Sequence, residues 1–193
     1  AEYGFYKISS GLLPIAMNLH EEMIELDTAR DIIKNIAEKE HIACKLSIRY
    51  GLEQYVLARA EPPGPFITTS KEGYGFTIAE GTSGACLLCG EKTSDLEAIY
   101  SACNVTKEVR EEFDEYFSQI KKRGFCLRPK IAGWPISAMS APVYDPNHKV
   151  VAAITFILPQ GSYDEGIIGP KLISCALQCV HRSSNKKEKI NEN

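Results

Sequence analysis

Two strand pairs of the hairpin kind, set about 80 residues apart with helical patterning between them, constrain this chain more than any other feature. Residues 43–50 alternate Cys44, Leu46 and Ile48 against Lys45, Ser47 and Arg49, and Gly51 separates them from a second extended run over residues 54–61. The pattern predicts an antiparallel hairpin with one face on a core and the other solvated. Residues 136–144 and 149–158 form the second pair, joined by the turn formers of Asp145-Pro-Asn-His148. An isolated hairpin is marginal in water, so both pairs and the helices between them must share one core. The expectation is a single α+β domain with a mostly antiparallel central sheet flanked by helices, and no internal repeat or long linker divides it.

The helical segments carry their own start and stop chemistry. Residues 11–24 show a broad apolar face at helical spacing despite Pro14. Asp27 is placed to N-cap a second helix, in which Ile32, Ile33, Ile36 and Ala37 repeat at three and four residues as far as Glu40. Pro62-Pro-Gly-Pro65 stops the second strand, and residues 66–69 resume as a short extended piece ahead of the glycine-rich 73–81. A short helix of small residues over 82–88 follows, then one reaching Cys103 for which Ser94 and Glu97 form a capping-box signature. Thr106 opens the clearest helix, with Val109, Phe113, Tyr116, Phe117 and Ile120 on one face, Lys121-Lys-Arg123 in the last turn and Gly124 as the stop. Pro170 is unsuited to a helix interior, so the last helix is expected to start at or just before it, although Ser162 and Glu165 offer an earlier capping box. It should end about Arg182, leaving residues 184–193 as a polar, disordered tail.

Composition removes several classes of function. Lys plus Arg number 22 against 25 Asp plus Glu, and a net charge of -3 gives the chain no overall pull toward a nucleic-acid backbone. Its longest uncharged apolar run, residues 150–158, is about half the roughly 20 residues of a bilayer-spanning helix, and no secretion signal opens the chain. Seven cysteines are too few for a disulfide-built domain and suit a reducing cytoplasm. Cys86 and Cys89 stand as a C-x-x-C in a small, apolar stretch, while Cys175 and Cys179 lie one helical turn apart, and both pairs read more simply as structural. His20, His41, His148 and His181 are scattered without metal-ligand spacing, so no metal and no cofactor is assigned.

In order, the motifs resemble a known family. Gly73 through Gly84-Ala-Cys-Leu-Leu88, Arg123-Gly-Phe125, Ala141-Pro-Val143 and Val151-Ala-Ala153 are similar to motifs in the C-terminal effector-binding domain of IclR-type bacterial and archaeal transcriptional regulators. Tyr6-Lys-Ile-Ser-Ser-Gly-Leu-Leu13 resembles the segment that leads into that domain from a DNA-binding module. The resemblance implies a GAF-like fold over residues 1–183, not an enzyme, that senses a small molecule. It further implies a winged helix-turn-helix DNA reader outside this chain, so that DNA is reached only through that missing part, and assembly as a homodimer or homotetramer. Effector-binding positions carried over from the family are Thr68, Phe76, Thr82, Ser83, Arg128, Ile136, Ala138, Thr155 and Ile157. Departures from the family pattern affect the ligand. The family usually has an acidic residue where Arg128 stands and often a cysteine where Ala138 stands, and its acidic and glycine pair falls at Ile131 and Pro135. Arg128, with the hydroxyls of Thr82, Ser83 and Thr155 and the amides that start the following helix, would then hold a small carboxylate.

Each of these residues also has a plainer role: Arg128 as a solvated surface cation, Thr82 as a helix cap, Trp134 as either a lid or an apolar loop anchor. Glu80 could select a cationic or hydroxylated ligand, or pair with Arg128 and leave neither free. The functional alternative is a GAF-like redox module using Cys86 or Cys89 as nucleophile, or a metal sensor adding Cys126.

Overall fold

The computed structural model describes residues 24–64 and 69–190, with side chains over 29–64 and 69–179. Along the chain run α1 (Ile24–Glu40), β1 (Ala43–Tyr50), β2 (Glu53–Ala60), β3 (Gly75–Thr77), α2 (Gly81–Leu88), α3 (Thr93–Ala102), α4 (Lys107–Arg123), β4 (Cys126–Arg128), β5 (Ile136–Tyr144), β6 (Val150–Pro159) and α5 (Glu165–Ile190). All six strands form one sheet in the order β3-β2-β1-β6-β5-β4, and every neighbouring pair is antiparallel. The two hairpins join along β1 and β6, from Ala43 opposite Ile157 to Ser47 opposite Ala153. This is the expected α+β architecture.

Each face of the sheet carries its own core. On one face, α1 and α5 pack through Ile33, Leu172 and Cys175 onto Cys44, Leu46, Ile154 and Phe156. On the other, α2 lies on β5 and β6 with α4 behind it, enclosing Ile78, Leu88, Phe113, Tyr116 and Cys126. The polar face of the first hairpin is therefore covered rather than solvated: Ser47 is 1% exposed. Small residues in α2 permit that cover, because its backbone runs so close to residue 78 that a Cβ on Gly84 would sit 2.2 Å from the Ile78 carbonyl oxygen.

Local chemistry explains most element ends. The Thr106 hydroxyl accepts from the Val109 N–H at 3.5 Å, and Gly124 adopts φ +81° while its N–H donates to the Ile120 carbonyl. Asp145 sets the tight turn between β5 and β6 by accepting from the N–H groups of Asn147 and Lys149.

Four expected boundaries are corrected. Asp27 does not start α1, which already includes Ile24; Glu25 and Leu26 are good helix formers, so nothing breaks the helix before Asp27. The Ser94–Glu97 box does not form: Lys92 is the N-cap, the Ser94 hydroxyl turns to Asp95, and Glu97 is drawn to Arg110 at 2.6 Å. Pro170 lies inside α5, which begins at Glu165 because the Asp164 carboxylate accepts from the Gly166 N–H at 2.7 Å. This early cap places the proline in the second turn, where it removes one backbone donor. The same helix continues past Arg182 to Ile190 through the helix-forming Lys186, Lys187 and Glu188. Residues 11–23 of the first expected helix and the extended piece at 66–68 lie outside the described residues. Asp164→Ala is expected to lower unfolding free energy by about 1 kcal/mol, read as a shifted urea midpoint at constant slope.

Candidate functional site

A cavity of about 930 Å³ opens between the sheet, the start of α2, residues 69–71 and the loop that follows β4. Strand register builds its floor. Directly opposed residues form one row, Arg59, Lys45, Thr155 and Ser140, running from β2 through β1 and β6 to β5. The next row is Ala43, Ile157, Ala138 and Arg128, ending on β4. A polar row therefore runs beside an apolar one, and each carries a cation at one end.

Of the nine residues singled out from the sequence, Phe76, Thr82, Ser83, Arg128, Ile136, Ala138, Thr155 and Ile157 line this single cavity. Thr68 lies outside the described residues. Lys45, Gln54, Arg59, Thr69, Tyr74 and Ile131 also line it and were not singled out. The polar alternation of β1 did mark Lys45, but as a solvent-facing residue. Arg59 had no such signal: β2 carries an extra residue opposite the Leu46/Ser47 step, which turns the strand so that Arg59 shares a face with Lys45.

The polar groups have distinct duties. Buried Gln54 donates to the carbonyls of Thr77 and Glu80 at 3.0 and 2.8 Å and accepts from the Ser83 hydroxyl at 2.7 Å, which fastens the start of α2 to β2. Ser83 is thereby committed to the scaffold. Thr82, Ser140 and Thr155 form a hydroxyl chain with spacings of 2.7 and 2.8 Å. Three hydroxyls carry three protons and share two hydrogen bonds, so one O–H remains to be donated elsewhere. Ser140 is fully buried and links the two predicted threonines; nothing in its sequence context marked it.

Charge in the cavity is lopsided. Lys45, Arg59, Lys71 and Arg128 line it against a single carboxylate, Glu80. Glu80 makes no ion pair with Arg128 among the described residues; the Arg128 Nε lies 3.2 Å from Glu112 instead, a partner outside the cavity lining. Glu112 also accepts from the Tyr116 hydroxyl at 2.5 Å, and burial together with this carboxylate pushes the Tyr116 phenol far above its ordinary range. Arg59 donates to the Thr69 carbonyl at 3.3 Å. Among the described residues Lys45 has no hydrogen bond or ion pair; its Nζ stands 4.9 Å over the Phe76 ring. Burial lowers the pKa of this ammonium, and the charge of Glu80 partly opposes the shift. Trp134 is 65% exposed at the cavity edge, in a turn closed by its N–H on the Ile131 carbonyl.

The cysteines are arranged differently from a reactive site. Cys86 and Cys126 are buried with their sulfurs 3.9 Å apart, and burial raises the Cys86 thiol well above its ordinary pKa, opposite to the activation a nucleophile needs. Among the described residues no group of three or more His, Cys, Asp or Glu is placed to hold a metal ion. No described helix is long and apolar enough to cross a membrane.

Comparison with known proteins places this architecture. No curated protein matches the chain in sequence. Solved structures do match in fold: a protein of Silicibacter sp. TM1040 described as an IclR transcriptional regulator has 16% identity and a TM-score of 0.77, over 92% of this chain and 73% of that one. An IclR family transcriptional regulator from Brucella abortus has 16% identity and a TM-score of 0.72, covering 90% of this chain and 69% of its own. The repressor BlcR of Agobacterium tumefaciens has 16% identity and a TM-score of 0.68, covering 91% and 73%. At such identities the likeness is one of fold. The family profile for the bacterial transcriptional regulator IclR C-terminal domain matches residues 19–183, most of the chain, and the chain belongs to that family.

Proposed function

We propose that the cavity binds a small organic acid as effector, and that occupancy alters DNA binding by a winged helix-turn-helix attached to this domain in the intact regulator. The observation that carries this reading is the cavity lining, with four cationic side chains and one carboxylate in a chain whose net charge is -3. Clustering positive charge in a sheltered cleft against the overall charge suits an anionic ligand. Arg128 retains both terminal nitrogens of a planar fork suited to a carboxylate, and the start of α2 has no side-chain cap on its amides. Output follows only if the ligand prefers one of two arrangements of a homodimer or homotetramer, which is the form of coupling this reading requires. A regulator of this kind works in the cytoplasm, where unpaired cysteines persist.

The reading is tested by a thermal-shift screen of organic acids followed by calorimetry. A ligand at about 100 times its dissociation constant adds roughly 2.7 kcal/mol of stability. Arg128→Ala should weaken the best acid by about 10- to 100-fold, the range for losing a hydrogen bond to a charged group. An unchanged affinity would remove Arg128 from the site.

A further inference from the structure

We propose that the cavity selects an effector with two acidic groups joined by an apolar stem, one group held between Lys45 and Arg59 and the other by Arg128. The inference rests on the reading of the cavity as an effector site and specifies its ligand class.

Position supplies the first argument. Lys45 and Arg59 are directly opposed on β1 and β2. Like charges at such positions repel, and Lys45 has no hydrogen-bonding or ionic partner among the described residues to offset its enclosure. An acidic group between them relieves both penalties. The hydroxyl chain with its leftover proton adjoins this locus, since Thr155 is the residue opposite Lys45 on the side away from Arg59. Burial lowers the Lys45 pKa although the charge of Glu80 opposes the shift, and an acidic group beside the ammonium would offset the cost of that enclosure further.

Separation supplies the second. Arg128 is on β4, and β6 and β5 lie between it and β1. Three strand spacings put the two backbones roughly 14 Å apart across the sheet. The Lys45 ammonium stands over Phe76 on the β3 side, away from β4, and Arg128 is turned to Glu112, so the two cations face separate loci and one carboxylate would not meet both. Between them Ile157 and Ala138 form a small apolar cluster with Ala43, against which Ile131 and Ile136 pack. This apolar row suits a hydrocarbon stem. The volume of about 930 Å³ is near the top of the 300–1,000 Å³ range of ligand pockets and leaves room for a stem.

The test is calorimetric titration of the purified chain with a length series of straight-chain α,ω-dicarboxylic acids and the matching monocarboxylic acids. The best diacid is expected to bind at least about tenfold more tightly than its matching monoacid. Lys45→Met should erase that margin and leave monoacid affinity in place, whereas Arg128→Ala should weaken both. Should Lys45→Met fail to fold, Arg59→Gln reads the same margin. Equal binding of diacids and monoacids, or a margin that survives both Lys45→Met and Arg59→Gln, overturns the two-acid inference while the effector reading stands on the Arg128 effect. Absence of binding by any organic acid overturns both.

Discussion

Gly84→Ala is expected to destabilise the domain by about 3 kcal/mol or more, beyond the usual range for one added methyl group. The added Cβ would stand 2.2 Å from the Ile78 carbonyl oxygen and 3.1 Å from the Gln54 amide nitrogen. The first neighbour is backbone and cannot swing aside, so α2 has to lift from the segment that precedes it. That movement pulls at the Gln54 hydrogen bonds holding the helix start, and with them the wall formed by Gly81, Thr82 and Ser83. Ligand affinity should therefore fall together with stability. Urea unfolding with a loss under about 1 kcal/mol would mean that α2 does not need this close approach.

Phe113→Ala should cost about 3–5 kcal/mol, a large share of the 5–15 kcal/mol that typically holds a domain together. Phe113 is fully buried and meets Tyr100, Tyr116 and Phe117 edge-on at centroid distances of 6.1, 6.1 and 5.9 Å. Removing the ring leaves three aromatic partners around a void that helices already fixed by their own hydrogen bonds cannot close. The expected signature is a lower denaturation midpoint with an unchanged slope. This site and Gly84 act through one element: α4 packs on α2, and α2 closes the cavity.

Much of the local structure could be read along the chain, because its causes lie within a few residues. The strand over residues 43–50, the Asp145 turn, the Thr106 cap and the Gly124 stop all formed as their residue types require. Where local signals competed, the geometry of a neighbour decided. Glu97 left its capping box for the Arg110 guanidinium, and Asp164 captured the Gly166 amide to start α5 ahead of Pro170.

The candidate site divides along the same line. Family-like motifs drew attention to Phe76, Thr82, Ser83, Arg128, Ile136, Ala138, Thr155 and Ile157, and the sheet gathers them around one cavity. Ser140 and Gln54 escaped notice because a buried hydroxyl or amide looks like any other in one dimension; their roles exist only through partners 15 to 58 residues away.

By itself the sequence determined the α+β class, most helix and strand positions and the excess of polar residues on one side of β1, since periodicity and capping are properties of short segments. Only the tertiary structure decided what that polar side faces. The pairing of β1 with β6 across more than 100 residues, the extra residue in β2 and the cover of α2 turned a seemingly solvated stripe into a cavity floor. They brought Lys45 and Arg59 side by side, and left Arg128 three strands away. The physical reason is that a side chain's charge is encoded locally, whereas its distance from water and from other charges is set by segments remote in the chain.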